Sequence, residues 1–315
     1  MAQPLLLRQK GLFCGIYMVK RPIFIALGVF FTIFILLALL LMLLSPDRGG
    51  NAGLGLHEKL GVIEIEGAIA ESRKTIEDIL DFAEDKSIRA ILVRIDSPGG
   101  AVGPSQEIHD ELRRIDASVK PVYVSLGSVA ASGGYYIAVA GRKIYANPGT
   151  LTGSIGVIME FPDLVALLDK IGLTKRVIKS GAFKDIGSPV RTMTAAERRL
   201  LQELIDDVHQ QFVAAVCAGR DLPQEQIASL ADGRIFTGRQ ALDLHLIDTL
   251  GGFQQLVRDV AADLGIKGKP KLIYPKEEHP PLLDYLLEQR LTTPLRHLLQ
   301  QQGLMFLWRP LSSDS

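Results

Sequence analysis

Alternation of strand-like and helix-like segments is the feature that most constrains the fold of this 315-residue chain. Between residues 61 and 139, apolar runs rich in β-favouring residues alternate with segments of helical periodicity. Two of the apolar runs end in Gly-Gly turns, Asp96-Ser-Pro-Gly-Gly and Ala-Ala-Ser132-Gly-Gly. Such alternation implies βαβ crossovers and a mainly parallel sheet that binds ligands at the carboxyl ends of its strands. We therefore predict an α/β fold.

The same patterns place the individual elements. The predicted order is strand 61–67, helix 72–86, strand 88–95, helix 102–117, strand 121–124, a break into small residues over 128–134, and a helix that begins at Ser132. Farther along, we predict helices at 164–171, 194–219, 237–244 and 252–264. Thr194 with Glu197 three residues later is a capping box for the long helix. The predicted domain therefore ends near residue 268.

Ser132 is placed at a special point of this pattern. A strand that turns through small residues into a helix leaves a serine where unpaired N–H groups and the positive end of the helix dipole favour negative charge. An alkoxide or a tetrahedral oxyanion at Ser132 would be stabilised there. The sequence around Ser132 is explained equally well if this serine only caps a helix that follows a tight turn.

A serine nucleophile needs a general base, and the sequence narrows the choice of residues that could serve as this base. The Gly-x-Ser-x-Gly elbow is absent around Ser132, and the six histidines fall in predicted helices, in the linker, after a helix or in the tail. Lys184 lies in a loop with small and apolar neighbours, and burial there would favour the neutral amine that a base requires. A solvated lysine is the commoner case. No metal-binding motif is found, and we expect neither a metal nor another cofactor.

Residues 23–44 form an uncharged apolar segment of 22 residues. As a helix it would be about 33 Å long, enough for a bilayer core of roughly 30 Å. The segment exceeds the apolar core of a cleaved signal sequence, so we predict a retained anchor. Four basic residues precede it and the positive-inside rule then places the N-terminus in the cytoplasm. A buried core helix is the less favoured alternative.

The net charge and the cysteine count limit the kinds of partner that this chain can bind. The net charge is +0, which argues against nucleic acid, and the two cysteines give neither a disulfide framework nor a metal cluster. We divide the chain into a basic arm (1–21), an anchor (22–44), a glycine-rich linker (45–59), a catalytic domain (60–268) and a tail (269–315). The tail has leucine-rich helical pieces and ends in Phe306-Leu-Trp-Arg. It contacts a membrane or another subunit, or packs on its own domain.

Four motifs of this chain resemble the short form of the bacterial signal peptide peptidase A family. They are Asp96-Ser-Pro-Gly-Gly, Ser128-Val-Ala-Ala-Ser-Gly-Gly-Tyr-Tyr, Thr152-Gly-Ser-Ile-Gly-Val and Ser180-Gly-Ala-Phe-Lys-Asp-Ile-Gly-Ser-Pro. They follow the family's order, and the similarity extends from about residue 60 to about residue 268. The family comprises serine–lysine peptidases of the Clp/crotonase fold, built from repeated ββα units with a mainly parallel sheet.

The resemblance implies a role for individual residues. Ser132 corresponds to the nucleophile and Lys184 to the general base, which Ser154 orients. Gly99 corresponds to a backbone donor of the oxyanion hole. We add the Gly133 N–H as a second donor because it lies at the predicted helix start.

The resemblance also implies a function. We expect a single-pass protein of the bacterial inner membrane with its catalytic domain outside the cytoplasm, where a homo-oligomer degrades cleaved signal peptides. Other membrane or exported polypeptides are further candidate substrates. A related Ser-Lys membrane peptidase with another substrate is the nearest alternative. A crotonase-type acyl-CoA enzyme has no need of the anchor or of Ser132 with Lys184, and a non-catalytic membrane scaffold is the remaining alternative.

Overall fold

The structure is a computed structural model that describes residues 25, 28–37, 39–40, 58–276 and 305–308. The chain divides into two compact units, Met1–Leu56 and His57–Ser315. The basic arm, most of the predicted linker and the predicted helical pieces of the tail at 277–304 lie outside the described residues. So does Cys14.

In the first unit, the described residues between 25 and 40 are helical, and their side chains are exposed. Eleven of these exposed side chains are large hydrophobic ones, among them Phe30, Phe31 and Phe34. Within the part of the chain that the structure describes, no helix is both long and apolar enough to span a bilayer.

The second unit contains ten strands and eight helices among its described residues. The strands are β1 (Lys59–Glu66), β2 (Ile88–Ser97), β3 (Gly99–Ala101), β4 (Val122–Ala131), β5 (Lys143–Ala146), β6 (Leu151–Gly153), β7 (Ile235–Thr237), β8 (Thr249–Leu250), β9 (Lys271–Ile273) and β10 (Met305–Leu307). The helices are α1 (Arg73–Glu84), α2 (Val102–Ser118), α3 (Gly133–Ala138), α4 (Val165–Ile171), α5 (Ala195–Arg220), α6 (Gln224–Leu230), α7 (Gly238–Asp243) and α8 (Phe253–Asp263).

Eight of the strands form one sheet, in the order β7-β6-β4-β2-β1-β9, with β5 paired to β4 and β8 paired to β5. Its pairings are parallel, except that β6 and β7 are antiparallel. The prediction of an α/β fold with a mainly parallel sheet is confirmed. Strand β7 and helix α6 had no clear sequence signal, because both are short.

Both faces of the sheet are covered, as the apolar strands require. Along β1, Ile63 and Ile65 face a large core that includes side chains of α1, α2, α3 and α5. Leu60 and Val62 point to the opposite face and pack with α8. The period of two between these faces fixes the register of the sheet.

Strand β4 is longer than predicted. The sequence predicts a strand that ends at Val124 and a break into small residues over 128–134, but the strand continues to Ala131. The small residues remain extended because they pair with a different strand: β5 pairs with the first part of β4, and β6 pairs with Val129–Ala131. The Asp96 carboxylate also accepts the N–H groups of Ser128 and Val129, each at 3.1 Å. Ser132 therefore lies directly at the carboxyl end of a central strand.

The end of the tail packs on its own domain, one of the two predicted outcomes. β10 pairs antiparallel with β3, in the Gly-Gly segment that the sequence analysis described only as a turn. The Phe306 side chain is fully buried, which stabilises the contact by about 1.5–3 kcal/mol relative to an exposed ring.

Candidate active site

Ser132 joins strand β4 to helix α3 and is 2% exposed. Its N–H donates to Gly153 O at 2.8 Å, and its own carbonyl accepts the N–H of Tyr136 at 2.8 Å. The backbone of Ser132 is therefore held on one side by β6 and on the other by the first turn of α3. The prediction that this serine stands at the start of a helix is confirmed.

The backbone at Ser132 is strained. Its φ is 54° and its ψ is −117°, a region that residues with a Cβ rarely adopt. Among the described residues, four other than glycine have positive φ, and two of these are Ser132 and Ser154. The other two, Asp221 and His245, follow the ends of helices, where this conformation is common. Strain of this kind persists where the surroundings enforce it, and it is frequent at active sites.

Ser154 lies beside Ser132 at the end of the neighbouring strand. Ala131 pairs with Gly153 in the parallel ladder, so that the residues following them, Ser132 and Ser154, extend from adjacent strand ends. Ser154 is 7% exposed, and its N–H donates to Arg234 O at 2.8 Å. The structure thus brings the two predicted serines together.

Three glycines form a corner next to Ser132 where side chains do not fit. A Cβ on Gly99 would lie 2.1 Å from the Phe306 carbonyl oxygen and 2.7 Å from the Gly133 nitrogen. A Cβ on Gly133 would lie 2.7 Å from Ser105 Oγ, and 3.2 Å from both the Gly100 nitrogen and the same Phe306 oxygen. We call Gly99, Gly100 and Gly133 the glycine corner. Its residues approach the Phe306 carbonyl oxygen without side chains of their own.

The Gly99 N–H, which the sequence analysis assigned as an oxyanion donor, already has a partner. It donates to Ser97 Oγ at 3.1 Å, and Ser97 is fully buried. The register of β10 with β3 places Phe306 opposite Gly100. Two residues farther along, Trp308 is opposite Pro98, and this pair is hydrogen-bonded because the Trp308 N–H donates to Pro98 O. Because hydrogen-bonded pairs alternate along an antiparallel ladder, Gly100 rather than Gly99 faces the Phe306 carbonyl with its N–H.

An aromatic pocket adjoins the glycine corner. The Phe306 ring stacks on Tyr136 with centroids 5.1 Å apart and lies 4.7 Å from the ring of Phe212. Tyr136 and Phe212 also contact each other, at 5.0 Å. Tyr136 comes one helical turn after Ser132, so the same short helix that begins at the serine supplies a wall of the pocket.

Lys184 is not buried with Ser132. It lies in a turn, as predicted, but its side chain is exposed in this chain. The expectation of burial among small and apolar neighbours is therefore wrong for the single chain. The physical reason is that residues 160–184 pack against little: helix α4 has no buried residue.

An ion-pair cluster fixes the loop that carries Lys184. Arg191 donates to both carboxylate oxygens of Asp185, at 2.8 and 2.9 Å, and also to Glu197 in the first turn of α5. Hydrogen bonds from Arg191, and next from Lys179, lower the pKa of Asp185. Arg191 and the Thr194 N–H lower the pKa of Glu197 to about 2. The capping box of Thr194 with Glu197 is confirmed.

Sequence reasoning missed three contributors to this region: the Ser97 hydroxyl, the aromatic pocket and Arg191. Ser97 belongs to the Asp96-Ser-Pro-Gly-Gly motif, and its position just after the predicted strand 88–95 was the available signal. The partners of Tyr136 lie far along the chain, at Phe212 and Phe306, and no local pattern connects them. For Arg191, the signal was a basic residue three positions before a capping box.

Comparison with protein families gives two matches. Residues 114–267 match the sequence profile of Peptidase family S49, and residues 60–151 match that of Clp protease. The second match covers β1 to the start of β6, including the glycine corner and Ser132. Both matches agree with the α/β architecture.

Individual relatives agree with these profiles. The Synechocystis sp. protein slr0021, whose name describes a protease, is 50% identical over 196 residues, which are 62% of this chain and 70% of that protein. An Enterococcus faecium protein named for a signal peptide peptidase SppA is 34% identical, over 62% of this chain and 60% of its own length. Protease 4 of Salmonella typhi is 33% identical over 85% of this chain and 43% of its own length.

Proposed function

Because this chain belongs to peptidase family S49, a family of serine peptidases, we propose that it is a membrane-anchored endopeptidase that uses a Ser132–Lys184 dyad to degrade cleaved signal peptides. The observation that carries the proposal is the strained Ser132 at a helix start, next to Ser154 and the glycine corner. The proposed nucleophile, orienting serine and oxyanion site thus lie at the carboxyl ends of neighbouring strands.

The proposed reaction is acyl transfer through a serine ester. Neutral Lys184 takes the hydroxyl proton of Ser132 as the serine oxygen attacks a peptide carbonyl carbon. The lysine then gives a proton to the leaving amine and activates the water that hydrolyses the ester. Ser154 is proposed to hold the lysine amine in the direction of Ser132.

The oxyanion is proposed to form where the Phe306 carbonyl oxygen lies. The proposed donors are the Gly133 N–H at the start of α3 and the Gly100 N–H on β3, both of which lie near this oxygen. The Gly99 N–H is available to the oxyanion only when its hydrogen bond to Ser97 Oγ is broken. Gly99 also leaves room for the oxyanion, because its φ of +101° and the short distances around it exclude a side chain.

We propose that Lys184 reaches Ser132 from a second copy of the chain. Among the described residues of the second unit, twelve large hydrophobic ones are exposed, and eight of these lie from Phe161 to Phe183, directly before the lysine. An apolar surface of this kind marks a contact with another protein. Burial against a neighbouring copy would cover it and would favour the neutral lysine. We accordingly propose a homo-oligomer with a head-to-tail contact.

The anchor is proposed to be the apolar segment 22–44. Its support is the uncharged sequence and the exposed apolar side chains of its described helical residues. The flanking basic residues orient the catalytic domain toward the outside of the bacterial inner membrane. We expect a reporter that functions only outside the cytoplasm to be active when it is fused after Ser315. Activity of the matching cytoplasmic reporter instead would reverse this orientation.

A panel of substrates tests the proposed function. Purified full-length protein in detergent should cleave synthetic signal peptides, while small folded soluble proteins remain intact. Apolar residues should precede the bonds that it cuts, because the aromatic pocket lies next to the glycine corner. Efficient digestion of folded proteins with signal peptides left intact would support a Ser-Lys peptidase with another substrate.

A further inference from the structure

Arg94 on β2 stands on the face of the sheet that helix α8 covers. Its guanidinium lies 5.6 Å from the centroid of the Phe253 ring, and among the described residues it makes no hydrogen bond or ion pair. Its neighbours in the register of the sheet are Glu64 on β1 and Ser125 on β4. Ser125 is 1% exposed, and its Oγ has no hydrogen-bond partner in the described part of the chain. A cation and a buried hydroxyl, both without a partner, are therefore neighbours on this face.

Two cavities border the Arg94 side chain. The larger has a volume of about 550 Å³ and lies at the start of α8, where Phe253 and Arg258 also line it. We call it the arginine cavity. The smaller has a volume of about 300 Å³ and lies at the carboxyl ends of β4 and β5, where Ser128 and Asn147 line it. Arg94 thus stands between the start of α8 and the ends of two strands.

The surroundings of the arginine cavity favour a bound negative charge. Arg94 and Arg258 bring two guanidinium groups to it, and no carboxylate is present among the described residues that line it. Arg258 donates to the Gln255 side chain, which is a neutral partner. Helix α8 begins here after Gly252, which offers no side-chain cap, and its first turn has no acidic residue. A guanidinium donates two parallel hydrogen bonds to a carboxylate, and the N–H groups of a helix start add to the attraction.

The position of the two cavities relates them to the catalytic serine. Ser128 precedes Ser132 by four residues on β4, which is about 13 Å of extended strand. Arg94 likewise precedes Pro98 by four residues. A peptide that adds antiparallel to β3, as β10 does, runs from Ala101 toward Pro98. Its carboxyl-terminal part therefore approaches the end of β2, on which Arg94 lies.

We propose that the arginine cavity binds the C-terminal carboxylate of a peptide substrate. The inference rests on the proposed function, because a cleaved signal peptide ends in a carboxylate, whereas in the uncleaved precursor the same residue continues into the exported protein. The Arg94 guanidinium donates to the carboxylate and is supported by the Phe253 ring. This contact directs the peptidase to signal peptides that have already been released and away from their precursors.

One synthetic signal peptide, made with a free C-terminal carboxylate and again as the C-terminal amide, tests the site. With the purified full chain in a neutral detergent, KM should be about tenfold lower for the acid than for the amide, which is the effect of one hydrogen-bonded charge pair. The value of kcat should be the same for both peptides, because the terminus is remote from the bond that reacts. This comparison uses the wild-type protein and needs no variant.

Two variants and a matched control assign the preference to the cavity. Arg94→Gln should raise KM for the acid to the value for the amide, and Arg258→Gln, on the exposed side of α8, should reduce the preference in part. Arg89→Gln removes the same charge from the start of the same strand, where Arg89 pairs with Glu58, and should keep the full preference.

The possible failures are distinguishable. Equal KM values for the acid and the amide on the wild-type protein would overturn the carboxylate site and leave the proposed function standing. No hydrolysis of either peptide would overturn both. A preference for the acid that persists unchanged in Arg94→Gln and in Arg258→Gln would place the carboxylate elsewhere and would overturn the assignment to this cavity.

Discussion

Ser132→Ala and Lys184→Ala are each expected to reduce hydrolysis of a signal peptide to the background rate. The first substitution removes the attacking oxygen, and the second removes the group that accepts its proton. In serine proteases, loss of the nucleophile or its base lowers turnover by about 10⁴-fold or more, and the remaining rate comes from binding and the oxyanion site. Initial rates on one peptide, measured at equal protein concentration, check both variants.

Two controls distinguish lost chemistry from lost structure. Lys175→Ala removes the same charge from the same exposed segment and should retain most of the turnover. A fluorophosphonate probe should label the wild-type protein at Ser132 and leave Ser132→Ala unlabelled, whereas an acyl-CoA enzyme or a scaffold would not label there. If Lys184→Ala kept most of its turnover, another group would have to serve as the base.

The architecture could be predicted from the sequence because it rests on local patterns. Apolar runs, helical periodicity and the capping box at Thr194 each depend on residues that are neighbours along the chain, and they gave the order of elements and the parallel sheet. The boundaries of the elements were predicted less accurately. Strand β4 extends to Ala131 because β6 pairs with its small residues, and this pairing was not visible in the run itself.

The site could be predicted in part, because local patterns also place some of its residues. Ser132, Ser154 and the Gly-Gly turn end neighbouring strands, so a parallel sheet brings them together wherever they occur in the sequence. The aromatic pocket could not be predicted, because Phe212 and Phe306 reach Tyr136 from distant segments. Lys184 is a different case, because its side chain is exposed within one chain whereas Ser132 is buried.

If Lys184 acts across a subunit contact, two inactive proteins should restore each other. Ser132→Ala retains the lysine and Lys184→Ala retains the serine. A site formed between one chain of each kind therefore contains both groups. Random assembly from equal amounts pairs an intact serine with an intact lysine at about one quarter of the sites. We expect about a quarter of the wild-type rate after the variants are mixed and reassembled.

The exposed position of Lys184 makes this test decisive. Ser132 is 2% exposed, while the lysine and the apolar residues before it face outward from the chain, so an active site needs either a neighbour or a large rearrangement of residues 160–184. Mixing distinguishes these two routes. A rearrangement within each chain would leave every serine with the lysine of its own chain, and no activity would return. Crosslinking that shows mixed assemblies without recovered hydrolysis would therefore place both residues of each site in one subunit.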